Sequence, residues 1–133
     1  MKKFVSIIIV SLFLFSCTKE AEPEFFDLGK EEKFKIGIEN KSAQNGVKLT
    51  ITNVQESRCP SDVTCVWEGE AKVEIEFISP FEETIELSTY DDLIDTVSNY
   101  SIELLDVLPY PVSTHTTELD DYTVILKIVE LGD

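Results

Sequence analysis

Histidine, tryptophan and arginine each occur once in these 133 residues, as His115, Trp67 and Arg58. Basic residues are scarce: 11 Lys and Arg stand against 26 Asp and Glu, a formal net charge of −15. Phosphate binding needs Lys and Arg to displace counterions, so no nucleic acid is expected among the partners. A lone His, five Gly and the absence of a Gly-rich phosphate loop thin out the catalytic arrangements. No Gly-x-Ser-x-Gly nucleophile elbow occurs, and neither does the Asp-x-Asp-x-Asp-Gly spacing of a calcium loop. Asp91, Asp92 and Asp95, or Asp120 and Asp121, leave room only for a weak surface Ca²⁺ site. No enzyme activity and no cofactor are expected.

What is present begins with a basic start, Met1-Lys2-Lys3, followed by an apolar run from Phe4 to Phe15 broken only by Ser6 and Ser11. At 12 residues the run is shorter than the ~20 needed to span a hydrocarbon core. A basic segment, a short apolar segment and a small residue before a cut describe a secretory signal peptide. The run ends Leu14-Phe15-Ser16-Cys17, which resembles the lipobox of bacterial lipoproteins. That resemblance implies cleavage between Ser16 and Cys17, diacylation of the Cys17 thiol and acylation of the new amine. Two or three acyl chains anchor a protein stably where one does not. The expected organisation is a signal peptide at residues 1–16, a polar, Pro-containing tether at 17–24 and one β-domain at 25–133. Thr18 after the lipidated Cys fits the outer membrane of the bacterial cell envelope, with the membrane itself as the first partner. Removing residues 1–16 takes away Lys2 and Lys3 and moves the net charge to −17.

Once Cys17 is assigned to lipid, Cys59 and Cys65 remain, in an oxidising compartment. Pro60, Ser61 and Asp62 between them favour a turn, so the expectation is a structural disulfide closing a seven-residue loop. Two other readings are weaker. Redox enzymes use Cys-x-x-Cys at a helix start, a tighter spacing than this one. Two Cys and His115 do not supply the four ligands of a structural metal site, so none is expected.

Period-two alternation dominates the rest of the chain. Phe34, Ile36 and Ile38 alternate with polar or small residues, as do Val47, Leu49 and Ile51. Ala71, Val73, Ile75 and Phe77 alternate with Lys72, Glu74 and Glu76, and Ile85 and Leu87 mark a short strand. Asn45-Gly46 signals a hairpin, after a linking segment that begins at Asn40. From Tyr100 the apolar positions run 100, 102, 104, then shift phase to 105 and 107, the signature of a β-bulge. Pro109-Tyr110-Pro111 should end that strand. Residues 122–131 are apolar almost throughout, as in a central strand covered on both faces. Between Ser88 and Asn99 the pattern stops, leaving a helical turn or a loop. The fold class expected is all-β: a compact antiparallel sandwich or barrel of about six to seven strands.

One stretch is distinctive: Ser57-Arg58-Cys59-Pro60, four residues, then Cys65-Val66-Trp67-Glu68-Gly69. Together with Tyr100-Ser101-Ile102-Glu103-Leu104 and Pro109-Tyr110-Pro111, it resembles a group of small, uncharacterised Bacteroidetes-type lipoproteins. The resemblance implies an address and an architecture but no mechanism. From the residues themselves, two readings of the motif stand open. In one, Trp67 packs across the disulfide, Arg58 pairs with Glu56 or Asp62, and Gly69 serves a turn. In the other, Arg58, Trp67 and Tyr110 form a binding surface on a rigid loop, since Arg and aromatics are the usual anchors of interfaces. The functional expectation is a non-enzymatic envelope lipoprotein that binds a partner protein or acts as a structural accessory. The alternatives are a protease-inhibitor-like regulator presenting the Cys59–Cys65 loop, or a binder of small ligands or Ca²⁺.

Overall fold

Residues 71–78 set the pattern of the molecule. In the computed structural model, which describes Glu22–Gly132, the side chains of Ala71, Val73, Ile75 and Phe77 are wholly buried while those between them face outward. Nine strands form among the described residues: β1 (Glu24–Phe26), β2 (Glu31–Lys35), β3 (Glu39–Ser42), β4 (Lys48–Glu56), β5 (Ala71–Ile78), β6 (Glu82–Ser88), β7 (Ile94–Val97), β8 (Tyr100–Leu108) and β9 (Thr123–Glu130). One sheet has the order β1-β3-β4-β5-β6 and the other β2-β9-β8-β7. Every neighbouring pair is antiparallel except β1 and β3, which run parallel. The sheets pack face to face and neither closes on itself, so the all-β expectation resolves into a sandwich.

The core is the sum of the two inner faces. Leu49, Ile51, Ile75 and Phe77 from the first sheet meet Ile102, Val107, Val124 and Leu126 from the second. Two aromatic pairs bridge the sheets: Phe26 and Phe34 meet edge-on at 5.4 Å, and Phe77 meets Tyr100 at 5.4 Å. Such pairs add about 0.5–1.5 kcal/mol beyond the burial of their area.

The chain crosses between sheets three times, and one crossing corrects an expected strand. Residues 34–38 alternate, yet β2 ends at Lys35. Gly37 takes φ +71° and donates its N–H to the Ile51 carbonyl at 2.8 Å, carrying the chain over to the first sheet. A left-handed backbone position breaks a strand whatever the alternation around it. The segment after it, expected as a link, contains β3. Its inward residues are the polar Asn40 and Ser42, both buried, which is why no apolar pattern announced it. The hairpin itself stands where Asn45-Gly46 placed it, with Gly46 at φ +75°.

Residues 94–97, read from sequence as loop or helical turn, form the edge strand β7, in which Val97 alone is buried. β9 is central, between β2 and β8, but it is covered on one face: Val124, Leu126 and Ile128 point inward while Val129 is exposed. Among the described residues no second layer lies over the outer face of this sheet, so the near-continuous apolar run does not mean double burial. The bulge is as expected. The β8–β9 register shifts between Leu104 and Asp106, leaving Leu105 exposed and returning Val107 to the core. No helix among the described residues is long and apolar enough to cross a membrane. The lipobox and Cys17 lie outside the described residues.

Candidate functional site

The long β4–β5 connection, residues 57–70, continues the pairing of its strands before opening out. The Ser57 N–H donates to the Glu70 carbonyl at 2.8 Å, and the Cys59 N–H donates to the Glu68 carbonyl at 2.7 Å. Gly69 makes this approach possible. It sits at φ +67°, and a Cβ placed on it would lie 1.8 Å from the Ser57 carbonyl oxygen. Beyond this pairing the Cys59–Cys65 disulfide closes the loop, with the two Cα atoms 5.9 Å apart.

Arg58 is the anchor beneath the loop. It is only 7% exposed. Its Nε and Nη2 donate to the two Glu56 carboxylate oxygens at 2.8 and 2.5 Å, a bidentate pair. Its Nη1 donates to the Val107 carbonyl at 2.9 Å, Nη2 also reaches the Pro109 carbonyl, and the guanidinium lies over the Tyr110 ring. Burial works against the Arg58 charge. The Glu56 hydrogen bond and charge, followed by Tyr110 and Asp106, outweigh it and hold the pKa above its ordinary value. Arg58 therefore belongs under the surface it was expected to help form, with Glu56 as the carboxylate partner.

Two further loops are welded to this one. From the 109–118 connection, Ser113 donates its N–H and hydroxyl to Asp62 at 2.8 and 2.6 Å, and the Pro111 carbonyl accepts the Ser61 N–H at 3.0 Å. The Ser113 hydroxyl, then the Ser113 N–H, hold the Asp62 carboxyl below its ordinary value. From the β6–β7 connection, Thr89 exchanges hydrogen bonds with Ala71, and the Ser88 hydroxyl donates to Glu70. The Tyr90 N–H in turn donates to the Ser88 hydroxyl at 3.1 Å. The three loops form one platform at one end of the sandwich.

On this platform stand the most exposed large side chains near the motif: Val66 at 92%, Trp67 at 83%, Tyr90 at 63% and Tyr110 at 49%. Trp67 does not cover the disulfide; it projects into solvent. A cleft of about 510 Å³ runs between Val66, Trp67, Glu68, Glu70 and Tyr90. A second, of about 400 Å³, continues from Glu68, Gly69 and Tyr90 to Leu93, Leu105 and Tyr110. Tyr90, shared by both clefts, was missed from sequence. It sits alone in a polar turn, and only its neighbours Asp91 and Asp92 set it apart.

His115 lies in a separate cleft with Glu56, Arg58 and Tyr122, where the Arg58–Glu56 pair is already neutralised. Burial pushes the Tyr122 hydroxyl above its ordinary value. Among the described residues, no group of three or more His, Cys, Asp or Glu side chains converges as metal ligands. With its own groups the platform can offer aromatic faces and carboxylates, on fixed loops, to a ligand from outside. Comparison of the chain with known protein families, with curated proteins and with solved structures finds no match.

Proposed function

We propose that this chain is a non-enzymatic, lipid-anchored protein of the bacterial cell envelope that binds a partner protein through the platform of Trp67, Tyr90 and Tyr110. The observation that carries the reading is Trp67, 83% exposed on a loop that a disulfide, a buried Arg58–Glu56 pair and a close-packed glycine all hold in place. An indole left in water on a mobile loop would be unremarked. One held in water by so many restraints is an interface anchor, the role that Trp, Tyr and Arg serve most often. Arg58 contributes from below, by positioning Tyr110.

The lipobox Leu14–Cys17 supports the address: an outer-membrane lipoprotein akin to the Bacteroidetes-type group whose Ser-Arg-Cys-Pro-x4-Cys-Val-Trp-x-Gly motif it resembles. Its membrane contact is the acyl chains on Cys17. A protease-inhibitor reading has less support, since residues 60–63 form a turn closed by the Val63 N–H on the Pro60 carbonyl at 3.2 Å. Ser61 and Asp62 are tied to the neighbouring loop rather than free to pair with a protease. The Ca²⁺ reading has less support still, because among the described residues no three acidic side chains converge.

Two measurements test the proposal. Native envelope should yield a partner with the wild-type protein and lose it with Trp67→Ala or Tyr90→Ala, both folded by circular dichroism. Undiminished capture by both variants would refute the platform. Cys17→Ser should release the protein from membranes and abolish its lipid mass. Continued membrane association of unlipidated protein would refute the anchor.

A further inference from the structure

The chemistry of the Trp67–Tyr90 cleft narrows the partner. The ionised residues lining it are Glu68 and Glu70, with no cation among them. Tyr90 is followed by Asp91 and Asp92, and the chain as a whole carries −15. Lys72 approaches Glu70 at 3.9 Å but lies closer to Glu86, at 3.3 Å; Glu68 forms no ion pair among the described residues, and Arg58, which lines the second cleft with it, is taken up by Glu56. The aromatic faces tell the same story. Among the described residues the guanidinium over Tyr110 is the one cation–π contact, and no cation lies over Trp67 or Tyr90. An electron-rich indole face attracts an ammonium or guanidinium within about 6 Å, and adjacent carboxylates strengthen the attraction.

Resting on the binding role proposed above, we infer that this cleft receives a lysine or arginine side chain from a basic segment of the partner protein. The cation seats between the Trp67 and Tyr90 rings and pairs with Glu68. Because attraction between opposite charges at a solvated surface is screened by salt, binding should weaken as ionic strength rises.

Trp67 is the sole tryptophan of the chain, so its intrinsic emission reports this cleft and no other site. The full chain, held in detergent, is titrated with a ten-residue peptide of alternating lysine and serine, and with the same peptide carrying glutamine for each lysine. The expected result is a saturable change in Trp67 emission with the lysine peptide alone. Glu68→Lys should then weaken binding by about tenfold or more. Glu76→Lys, which changes the net charge equally but sits on the outer face of β5, should leave binding within about twofold, because screened charges act locally.

An equal response to the glutamine peptide, an unaltered affinity in Glu68→Lys, or an equal loss in both variants overturns the inference. So does a response to phosphatidylcholine vesicles with none to the lysine peptide, which would make the aromatics a membrane contact. Failure here is distinguishable from failure of the platform. If Trp67→Ala and Tyr90→Ala abolish partner capture while the lysine peptide gives no signal, the platform stands and the cationic ligand falls.

Discussion

The Arg58 guanidinium lies 4.4 Å from the centre of the Tyr110 ring, and through it the two sheets are joined at the platform end. One side of the group grips Glu56 at the end of β4; the other reaches the Val107 and Pro109 carbonyls where β8 finishes. A single side chain thus satisfies a carboxylate and two carbonyls and supports the half-exposed Tyr110 ring.

Its removal should be costly. Arg58→Met leaves the Glu56 carboxylate part-buried and unpaired, a change that typically costs about 3–5 kcal/mol. Arg58→Lys should recover only part of the loss, since an ammonium cannot make the planar two-point contact. Urea unfolding of Arg58→Met, Glu56→Gln and the double variant provides the check. A double variant no more stable than the sum of the single losses would show that the two residues are not coupled.

Gly69 offers a sharper steric test. Gly69→Ala puts a methyl group into the Ser57 carbonyl at a positive φ, so the 57–59 and 68–70 segments must separate. A destabilisation of about 2 kcal/mol or more is expected, from backbone strain and lost pairing together. Gly37→Ala also sits at positive φ, but its Cβ would meet open space, so it should cost only about 1 kcal/mol. Equal losses in the two variants, measured by thermal melting, would contradict the account of Gly69.

The disulfide should matter locally. For a seven-residue ring the chain-entropy relation gives about 2–2.5 kcal/mol. The bridge lies in a loop outside both sheets, so Cys59→Ser with Cys65→Ser should lower stability by that amount and leave the far-ultraviolet spectrum unchanged. Trp67 emission should alter in the same variant, because the loop that carries it is released. A lost β-sheet spectrum would place the bridge in the folding core instead.

Acid should loosen the platform before the sandwich. The Asp62 carboxyl is held below its ordinary value of 3.8 by the Ser113 hydroxyl and N–H. Its contribution is therefore present above pH 3.8 and fades as the pH falls through the lower, folded value. Amide exchange at Ser113 should accelerate across that window while the Ala71–Ile78 strand stays protected. Retained protection at Ser113 with Asp62 fully protonated would remove this link between the loops.

Most of the sandwich is legible in the amino-acid pattern. β5 and β4 announced themselves because their inward residues are apolar and their outward ones charged or polar. The bulge at Leu105 showed as a slip of one residue in an otherwise regular pattern, and the hairpin at Asn45-Gly46 as a turn with a backbone requirement. β1, β3 and β7 were silent for a common reason. Asn40 and Ser42 satisfy their polar groups inside the fold, and β1 and β7 each sit at a sheet edge with one buried residue, so none of the three carries alternating hydrophobicity.

The scarcities of the sequence had separate fates. The paucity of basic residues, the single His and the small number of cysteines restricted the chemistry on their own, because charge and ligand number follow from composition. The single Arg and the single Trp stand nine residues apart in one motif, and composition treated them alike. Tertiary structure separated them. Glu56 and the carbonyls at the end of β8 compensate the Arg58 charge and let it sink, whereas the cross-pairing at Gly69 and the disulfide turn Trp67 outward. Glu56 lies only two residues from Arg58 in the chain, but the Val107 and Pro109 carbonyls come from the far end of β8, and only the assembled sheets bring them to the buried guanidinium.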